Sequence, residues 1–276
     1  MKLTATRLLR VGGPPLVFGT TLLCVVVAMA LIGPIVYPGS PFSIVGDPLL
    51  PPGSSFPLGT DILGRDIAAG LVHGARASLF VGVVATLVAV IIGTCIGAVA
   101  GYAGGYTDAL LMRLTEVFQT IPAFVFAILI LAIFTPTISN VVITIAIISW
   151  PPVARLVRAE FLSLKQREFV LAATGLGFNR LHIIFREMLP NCLSPIIVMG
   201  SLMVATAILI ESGLSFLGLS DPNVMSWGYM IGAGRSVLRS AWWVCTIPGI
   251  AVALSVLAIN LLGQGINDVL NPRLRT

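Results

Sequence analysis

The sequence predicts an all-α integral membrane protein with six transmembrane helices and both chain ends in the cytoplasm. Of its 276 residues, 57% are hydrophobic and only 10% are charged, and the mean hydropathy is +1.03. A water-soluble domain of this length does not need so much apolar surface, so lipid is the expected solvent. Six apolar runs approach or exceed the roughly 20 residues with which a helix crosses a bilayer.

The six predicted spans are residues 16–37, 78–102, 117–134, 138–157, 193–210 and 244–262. The first is too long for the apolar region of a secretory signal and has no convincing cleavage site, so we expect a retained anchor helix. The fourth contains Pro151 and Pro152, which are expected to bend the helix or to interrupt it.

The Lys and Arg residues give the orientation. With the N-terminus inside, twelve of the sixteen lie on the cytoplasmic side, which agrees with the positive-inside rule. The four on the outer side are Arg65, Arg76, Arg235 and Arg239. Because the basic residues are dispersed among apolar runs, the net charge of +5 does not indicate nucleic-acid binding.

This topology divides the chain into five parts. Residues 1–15 form a cytoplasmic N-terminal segment, residues 16–37 the anchor helix and residues 38–77 an extracytoplasmic loop. Residues 78–265 form a five-helix core with a cytoplasmic loop at 158–192, and residues 266–276 form a cytoplasmic tail. The second outer segment, residues 213–243, is also long, and both outer segments are expected to form loops or short helices at the outer mouth.

The second span carries glycine at every fourth position, at Gly93, Gly97, Gly101 and Gly105. On a helix this spacing produces a stripe without side chains, along which another helix can approach closely. The stripe predicts tight helix packing and gives no information about a ligand.

The cytoplasmic loop is unusual for so apolar a chain, because residues 168–191 are long, charged and predicted to be partly helical. Phe169, Val170, Ala173, Leu176 and Gly177 are expected on one apolar face, suited to a membrane surface or to a groove on a partner protein. Gly177 is expected to end the helix in a left-handed conformation. A plain solvated connection would be much shorter.

Within this loop, Ala172, Ala173, Gly177, Leu189 and Pro190 follow a pattern that resembles the cytoplasmic EAA loop of ABC importer permeases. Further stretches resemble the C-type inner-membrane subunit of the dipeptide and oligopeptide (peptide and nickel) transporter family. They are PLGTDILGRD (57–66), GARASL (74–79), GYAGGYTDALLMR (101–113), ARLVRAEFLSL (154–164), ESGLSFLGL (211–219), SWG (226–228), PGI (248–250) and NLLGQGINDVLNPR (260–273).

The resemblance implies a type I ABC importer permease fold in the bacterial plasma (inner) membrane, without enzymatic activity of its own. It implies that the chain translocates dipeptides and oligopeptides into the cytoplasm by alternating access. The loop at 168–191 would be the coupling helix, with Ala172, Ala173, Gly177, Leu189 and Pro190 as its coupling residues. The implied partners are a second homologous permease, two ABC ATPase subunits, an extracytoplasmic peptide-binding protein and membrane lipid.

ATP and Mg²⁺ are expected on the partner ATPases, with no cofactor bound by this chain. The 276 residues contain no G-x-x-x-x-G-K-[ST] motif and no Gly-Lys pair, so a P-loop phosphate cradle is absent from them. Two alternatives stay open at this point. The same architecture is expected for relatives that carry nickel complexes or glutathione, and an ion-gradient-driven transporter is the second alternative.

Four charged residues near the outer side are candidate functional residues. Glu211 follows an apolar run near the outer end of the fifth span, where a charge is costly unless it is paired or faces water. It is expected to act in the pathway or gate, or else to be a helix-end carboxylate at the interface or paired with a neighbouring subunit. Asp61, Arg65 and Asp66 are expected to contact the binding protein or to hold the outer loop together.

Overall fold

The computed structural model describes residues 13–53 and 55–270, and this part of the chain contains nine α-helices of eight residues or more. They are α1 (Gly13–Val36), α2 (Ile67–Ala103), α3 (Gly105–Thr120), α4 (Ala123–Ile133), α5 (Ile138–Leu164), α6 (Glu168–Gly175), α7 (Leu189–Phe216), α8 (Trp227–Gly234) and α9 (Trp243–Leu270). The described residues form no β-strand, only isolated bridges in the outer loop.

Five helical segments are long and apolar enough to cross a membrane, and the pair α3 and α4 is a sixth when it is counted as one bent span. The described residues thus agree with the six-span prediction when the bent pair counts as one crossing, and six crossings put their two ends on the same side. Lys2, Arg7 and Arg10, which support the N-in orientation, lie outside the described residues. Arg273, Arg275 and the end of the predicted tail also lie outside them.

The third predicted span, residues 117–134, is wrong as a single helix. The chain breaks between α3 and α4, and the two helix axes differ in direction by 83°. Pro122 explains the break, because proline disfavours helical backbone in the preceding residue. Ile121 is extended, with φ −92° and ψ 128°.

The second span begins earlier than the sequence indicates. Residues 67–77 belong to α2 and not to the predicted outer loop, because Asp66 caps the helix by accepting a hydrogen bond from the Ala68 N–H at 2.9 Å. At 37 residues, α2 is about 55 Å long by the usual helical rise, well beyond the roughly 30 Å apolar core of a bilayer. The helix therefore projects beyond the apolar core.

The helix α5 continues through Pro151 and Pro152 to Leu164, so the expected interruption is absent. Its most extensive neighbour is α2, which follows it closely through the glycine stripe. A Cβ atom on Gly93 would lie 2.7 Å from the Trp150 carbonyl oxygen, and one on Gly101 would lie 2.9 Å from the Arg158 carbonyl oxygen. Continuous support from α2 is our explanation for the unbroken helix, since neighbouring helices compensate for proline in membrane proteins.

Gly105 is the exception to the predicted stripe. It is the first residue of α3 and not part of α2, and no atom lies within 4 Å of the position of a Cβ. Gly104 and Gly105 have φ values of +66° and +54°, a left-handed backbone that other residues adopt only at a cost. The last glycine of the repeat therefore turns the chain between two helices.

The loop between α7 and α8 is tied to the start of α5. One carboxylate oxygen of Asp221 accepts a hydrogen bond from the Ile138 N–H at 3.0 Å. That N–H is one of the first-turn donors of α5, which have no partner inside the helix. The other carboxylate oxygen accepts from the Asn223 N–H at 2.9 Å, so Asp221 fixes the loop to the helix end.

Candidate functional site

The cytoplasmic loop predicted at 158–192 is almost wholly helical in the structure. The first part continues α5 to Leu164, and α6 follows after a short turn. A single helical turn (Arg180–His182) and a π-helical segment (Ile183–Met188) then lead without interruption into α7. Glu168–Gly175 is the separate short helix that the sequence predicts at this position.

The end of α6 has the geometry of a Schellman motif. Gly177 has φ +78°, its N–H donates to the Thr174 carbonyl at 3.1 Å, and the Phe178 N–H donates to the Ala173 carbonyl at 3.2 Å. These two bonds satisfy carbonyl groups that the end of a helix leaves free. The left-handed Gly177 is therefore confirmed as the helix terminator.

The predicted apolar face of α6 is divided in two by the structure. Val170 and Ala173 are buried in a cluster at the inner end of the helices, together with Met188 and Cys192. Phe169 and Leu176 point away from this cluster and are 40% and 76% exposed. Because a helix of eight residues has room for only one narrow buried stripe, the remaining apolar side chains stay outside.

Besides Phe169, five large apolar side chains between residues 168 and 188 are left exposed, and we refer to these five as the coupling patch, after the role that the sequence predicts for this segment. They are Leu171, Leu176, Phe178, Leu181 and Phe185. The neighbouring turns contribute the charged residues Arg167, Glu168 and Arg180. A set of large apolar side chains on a hydrophilic, exposed segment marks a surface for another molecule.

The five predicted coupling residues do not form one surface. Ala172, Gly177 and Pro190 are exposed, Ala173 is buried, and Leu189 packs in part against the inner cluster. The residues that the sequence singles out lie in the same segment but do not include the coupling patch, and their coupling role stays a prediction. The available signal was the number of large apolar residues between 169 and 185, which exceeds what one narrow helix face can bury.

The inner end of α2 is joined to the loop by Lys165. Its ammonium group donates to the Tyr102 carbonyl at 2.9 Å and lies 5.7 Å from the centre of the Tyr102 ring. Arg158 of α5 also forms a two-point ion pair with Asp108 of α3, at 2.5 and 2.6 Å. Neither contact was predicted, because the partners are far apart in sequence.

Glu211 is a buried residue of α7 and is 4% exposed. Its Oε1 accepts hydrogen bonds from the Ser215 hydroxyl at 2.9 Å and from the Ser226 hydroxyl at 2.7 Å, and Oε2 lies 3.5 Å from the Ser212 hydroxyl. Ser226 also caps α8 by accepting from the Tyr229 N–H at 3.0 Å. The carboxyl group thus ties α7 to the start of α8 and lines a small chamber.

Asp61 and Asp66 make internal contacts in the outer loop. One oxygen of Asp61 accepts from the backbone N–H groups of Leu63 and Arg65, at 2.8 and 2.9 Å. Asp66 caps α2, as described above. These contacts agree with the expectation that the residues hold the loop together.

Arg65 connects the outer loop to α8. Its guanidinium lies 4.0 Å from the Asp61 carboxylate, 3.3 Å from the Tyr229 hydroxyl and 5.0 Å from the centre of the Phe42 ring. The side chains of Arg65 and Asp61 are each 16% exposed. Most of the surface of this pair is therefore directed into the protein.

Comparison with known proteins gives the same overall picture. Residues 93–276 match the family described as binding-protein-dependent transport system inner membrane component. The chain is 39% identical over 265 residues to the di/tripeptide transport system permease protein DppC of Pseudomonas aeruginosa, covering 93% of this chain and 88% of the relative. It is 40% identical over 275 residues to a putative peptide transport system permease protein of Brucella suis, and the match covers 99% of this chain and 92% of that relative.

Among solved structures, the fold is similar to that of the MetNI methionine ABC transporter in inward-facing conformations. Two crystal forms give a TM-score of 0.62 at 14% and 15% sequence identity. The similarity covers 73% of this chain and 97% and 96% of the matched chains. At this identity the likeness establishes the fold alone.

Proposed function

This chain belongs to the family of binding-protein-dependent transport system inner membrane components, and we propose that it translocates dipeptides and oligopeptides into the cytoplasm by alternating access. It is an ABC importer permease of the peptide transport family, an integral protein of the bacterial inner membrane. Beyond this family membership, we propose the transported cargo, the alternating-access movement and the partner proteins. The di/tripeptide and peptide names of the relatives favour peptide over nickel complexes or glutathione.

The single observation that carries the proposal is the coupling patch around α6. Large apolar side chains exposed on a helical cytoplasmic loop suit a groove on a second protein. In this proposal the groove belongs to an ATPase subunit, and α6 is the coupling helix. Ala172 and Gly177 are exposed and small, so they allow the partner to approach closely.

The packing of α6 suits the transmission of movement. Val170 and Ala173 are embedded beside Met188 and Cys192, so a displacement of α6 acts directly on the start of α7. Lys165 holds the end of α2, and Arg158 holds α3. Closure of the ATPase subunits would therefore move several spans together as a rigid group, as alternating access requires.

We assign the ATP hydrolysis that drives transport to other protein chains. With no P-loop motif in the 276 residues, we place ATP and Mg²⁺ on two partner ABC ATPase subunits. A second homologous permease completes the pathway, and an extracytoplasmic binding protein delivers the peptide. Glu211 as a gate residue, and Asp61, Arg65 and Asp66 as contacts with the binding protein, stay predictions.

The proposal is tested by purifying the tagged chain from its native membrane in mild detergent and identifying the associated proteins by mass spectrometry. We expect a second permease and two P-loop ATPases, whose ATP hydrolysis is stimulated by peptide-loaded binding protein. An intact chain that emerges alone would overturn the ATP-driven function and would favour the ion-gradient alternative.

A matched pair of substitutions tests the coupling patch itself. Leu176 is the C-cap of α6, directly before the left-handed Gly177, and Leu217 is the C-cap of α7, directly before the left-handed Gly218 on the other side of the membrane. Both leucines are exposed. We expect Leu176→Asp to reduce the amount of copurified ATPase and Leu217→Asp to leave it unchanged. Equal retention in both variants would contradict docking at α6.

A further inference from the structure

An open groove lies at the outer end of the protein, between the outer loop, the first turns of α2 and the loop before α8. Its cavity volume is about 530 Å³. His73, Arg76 and Phe80 of α2 form one side, while Phe42 and Asn223 belong to the two loops. The size suits a short peptide, since ligand pockets commonly have volumes of 300–1,000 Å³.

Arg76 is the charged group of this groove. Its side chain is exposed, and it makes no hydrogen bond or ion pair with any other residue in ranges 13–53 and 55–270. The described residues that line the groove include no Asp or Glu. A guanidinium with free donors in a wall without acidic groups is complementary to a carboxylate, which it can bind through two parallel hydrogen bonds.

The other side chains of the groove suit the rest of a peptide. The Nε2 atom of His73 lies 2.9 Å from the Tyr37 carbonyl oxygen, so the ring is fixed and leaves Nδ1 available. The side-chain amide of Asn223 offers both a donor and an acceptor for a peptide backbone. Phe80 is 52% exposed and gives an apolar surface for side chains.

The groove is adjacent to the small chamber at Glu211. Ile138 and Val224 line both spaces, so they form the wall between the groove and the chamber. The groove is thus next to the site of the buried Glu211.

We propose that the groove is an outer subsite that receives the C-terminal carboxylate of a peptide, with Arg76 as its binding residue. This inference rests on the proposed function, since it assigns the part of a peptide that this chain contacts first. A carboxylate on the delivering protein, or a lipid phosphate at the membrane surface, has similar chemistry. The experiment separates both from the substrate.

The test uses the assembled transporter in nanodiscs, without binding protein, and two photoreactive tripeptides that differ only in a C-terminal carboxylate or amide. We expect the carboxylate probe to label residues 73–80 or 223–225 of this chain, and the amide probe to label them about tenfold less. That difference corresponds to the loss of one charge-assisted hydrogen bond. Equal labelling by the two probes would refute the proposal.

Substitutions assign the effect to Arg76. Arg76→Gln should reduce labelling by the carboxylate probe about tenfold and leave the amide probe unchanged, with Arg76→Lys between the wild type and Arg76→Gln. Arg239→Gln is the control, because Arg239 is an exposed outer arginine that does not line the groove. Copurification of the partner subunits confirms that each variant is assembled.

The outcomes also separate this inference from the proposed function. If the wild-type transporter takes up peptide while Arg76→Gln is labelled like the wild type, the subsite is wrong and the importer function stands. The same labelling result is expected if Arg76 serves a lipid phosphate or the binding protein. If the wild-type transporter takes up no peptide from its loaded binding protein, the importer function itself fails.

Discussion

Arg158 of α5 and Asp108 of α3 are joined by two hydrogen bonds between charged groups, Nε to Oδ1 at 2.5 Å and Nη2 to Oδ2 at 2.6 Å. The pair stands near the glycine turn between α2 and α3, whose other side is held by the Lys165 contact with Tyr102. Residues of α5 and its end therefore hold both sides of this turn. The arrangement explains why α3 keeps its direction although the turn consists of two unhindered glycines.

Removing the charge of Asp108 should destabilise the protein. The two side chains are 33% and 16% exposed, so solvent weakens the pair in part, and we expect Asp108→Asn to cost about 1–2 kcal/mol. Arg113→Gln is the control, because its ion pair with Glu116 involves side chains that are 82% and 52% exposed. The change in Tm of the assembled transporter in detergent measures the effect of each substitution. Equal shifts would mean that the Arg158 pair contributes no more than a surface contact.

Gly97 should not tolerate even alanine. A Cβ atom there would overlap the Ala154 carbonyl oxygen, and backbone cannot move as a side chain does. We expect Gly97→Ala to cost about 1–3 kcal/mol and to reduce the yield of folded protein in detergent. Gly200→Ala is the matched control, since the nearest atom to its new Cβ is a Val90 methyl carbon at an ordinary 3.6 Å. The stripe would have no packing role if the two variants behaved alike.

Glu211→Ala should destabilise the outer end of the bundle. The substitution removes the acceptor of the Ser215 and Ser226 hydroxyls in a buried site, and we expect a cost of about 2–3 kcal/mol. Glu211→Gln keeps one carbonyl acceptor and should cost less. Glu116→Ala serves as the control, because Glu116 is exposed. If the two alanine variants lost the same amount of stability, Glu211 would have no structural role of this kind. Loss of peptide uptake by a stable Glu211→Gln variant would support the prediction that Glu211 is a gate residue.

Gly177→Trp should leave the protein inserted but reduce uptake and ATPase association. No atom lies within 4 Å of its Cβ position, so the indole would enter the space of a docked partner. The left-handed backbone, with φ +78°, adds about 1–2 kcal/mol of strain. Gly218→Trp carries the same strain at φ +86° and also meets open space, but on the outer side. We expect normal coupling in that variant, and normal uptake by Gly177→Trp would remove the coupling assignment.

Signals that depend on neighbours in sequence were sufficient for much of the fold. Apolar runs of span length predict the crossings, because lipid requires a long apolar helix. Glycine at every fourth residue predicts that another helix packs closely on the second span, and the structure shows that this helix is α5. The loop pattern predicts a short helix that Gly177 ends. The predicted bounds of the spans were wrong where a single residue decides the backbone. Pro122 divides the third predicted span into two helices, and Asp66 starts the helix of the second span eleven residues before the predicted position.

By itself, the sequence determined the membrane class, the apolar runs of span length and the position of the charged loop, because composition, period and motif are local properties of a chain. Only the tertiary structure decided which partners the charges take. It brings Arg158 to Asp108 and surrounds Glu211 with three serines, and it leaves Arg76 unpaired in a groove. The physical reason is that a charge near lipid must find its partner across the packed helices, at a sequence separation that no local pattern records.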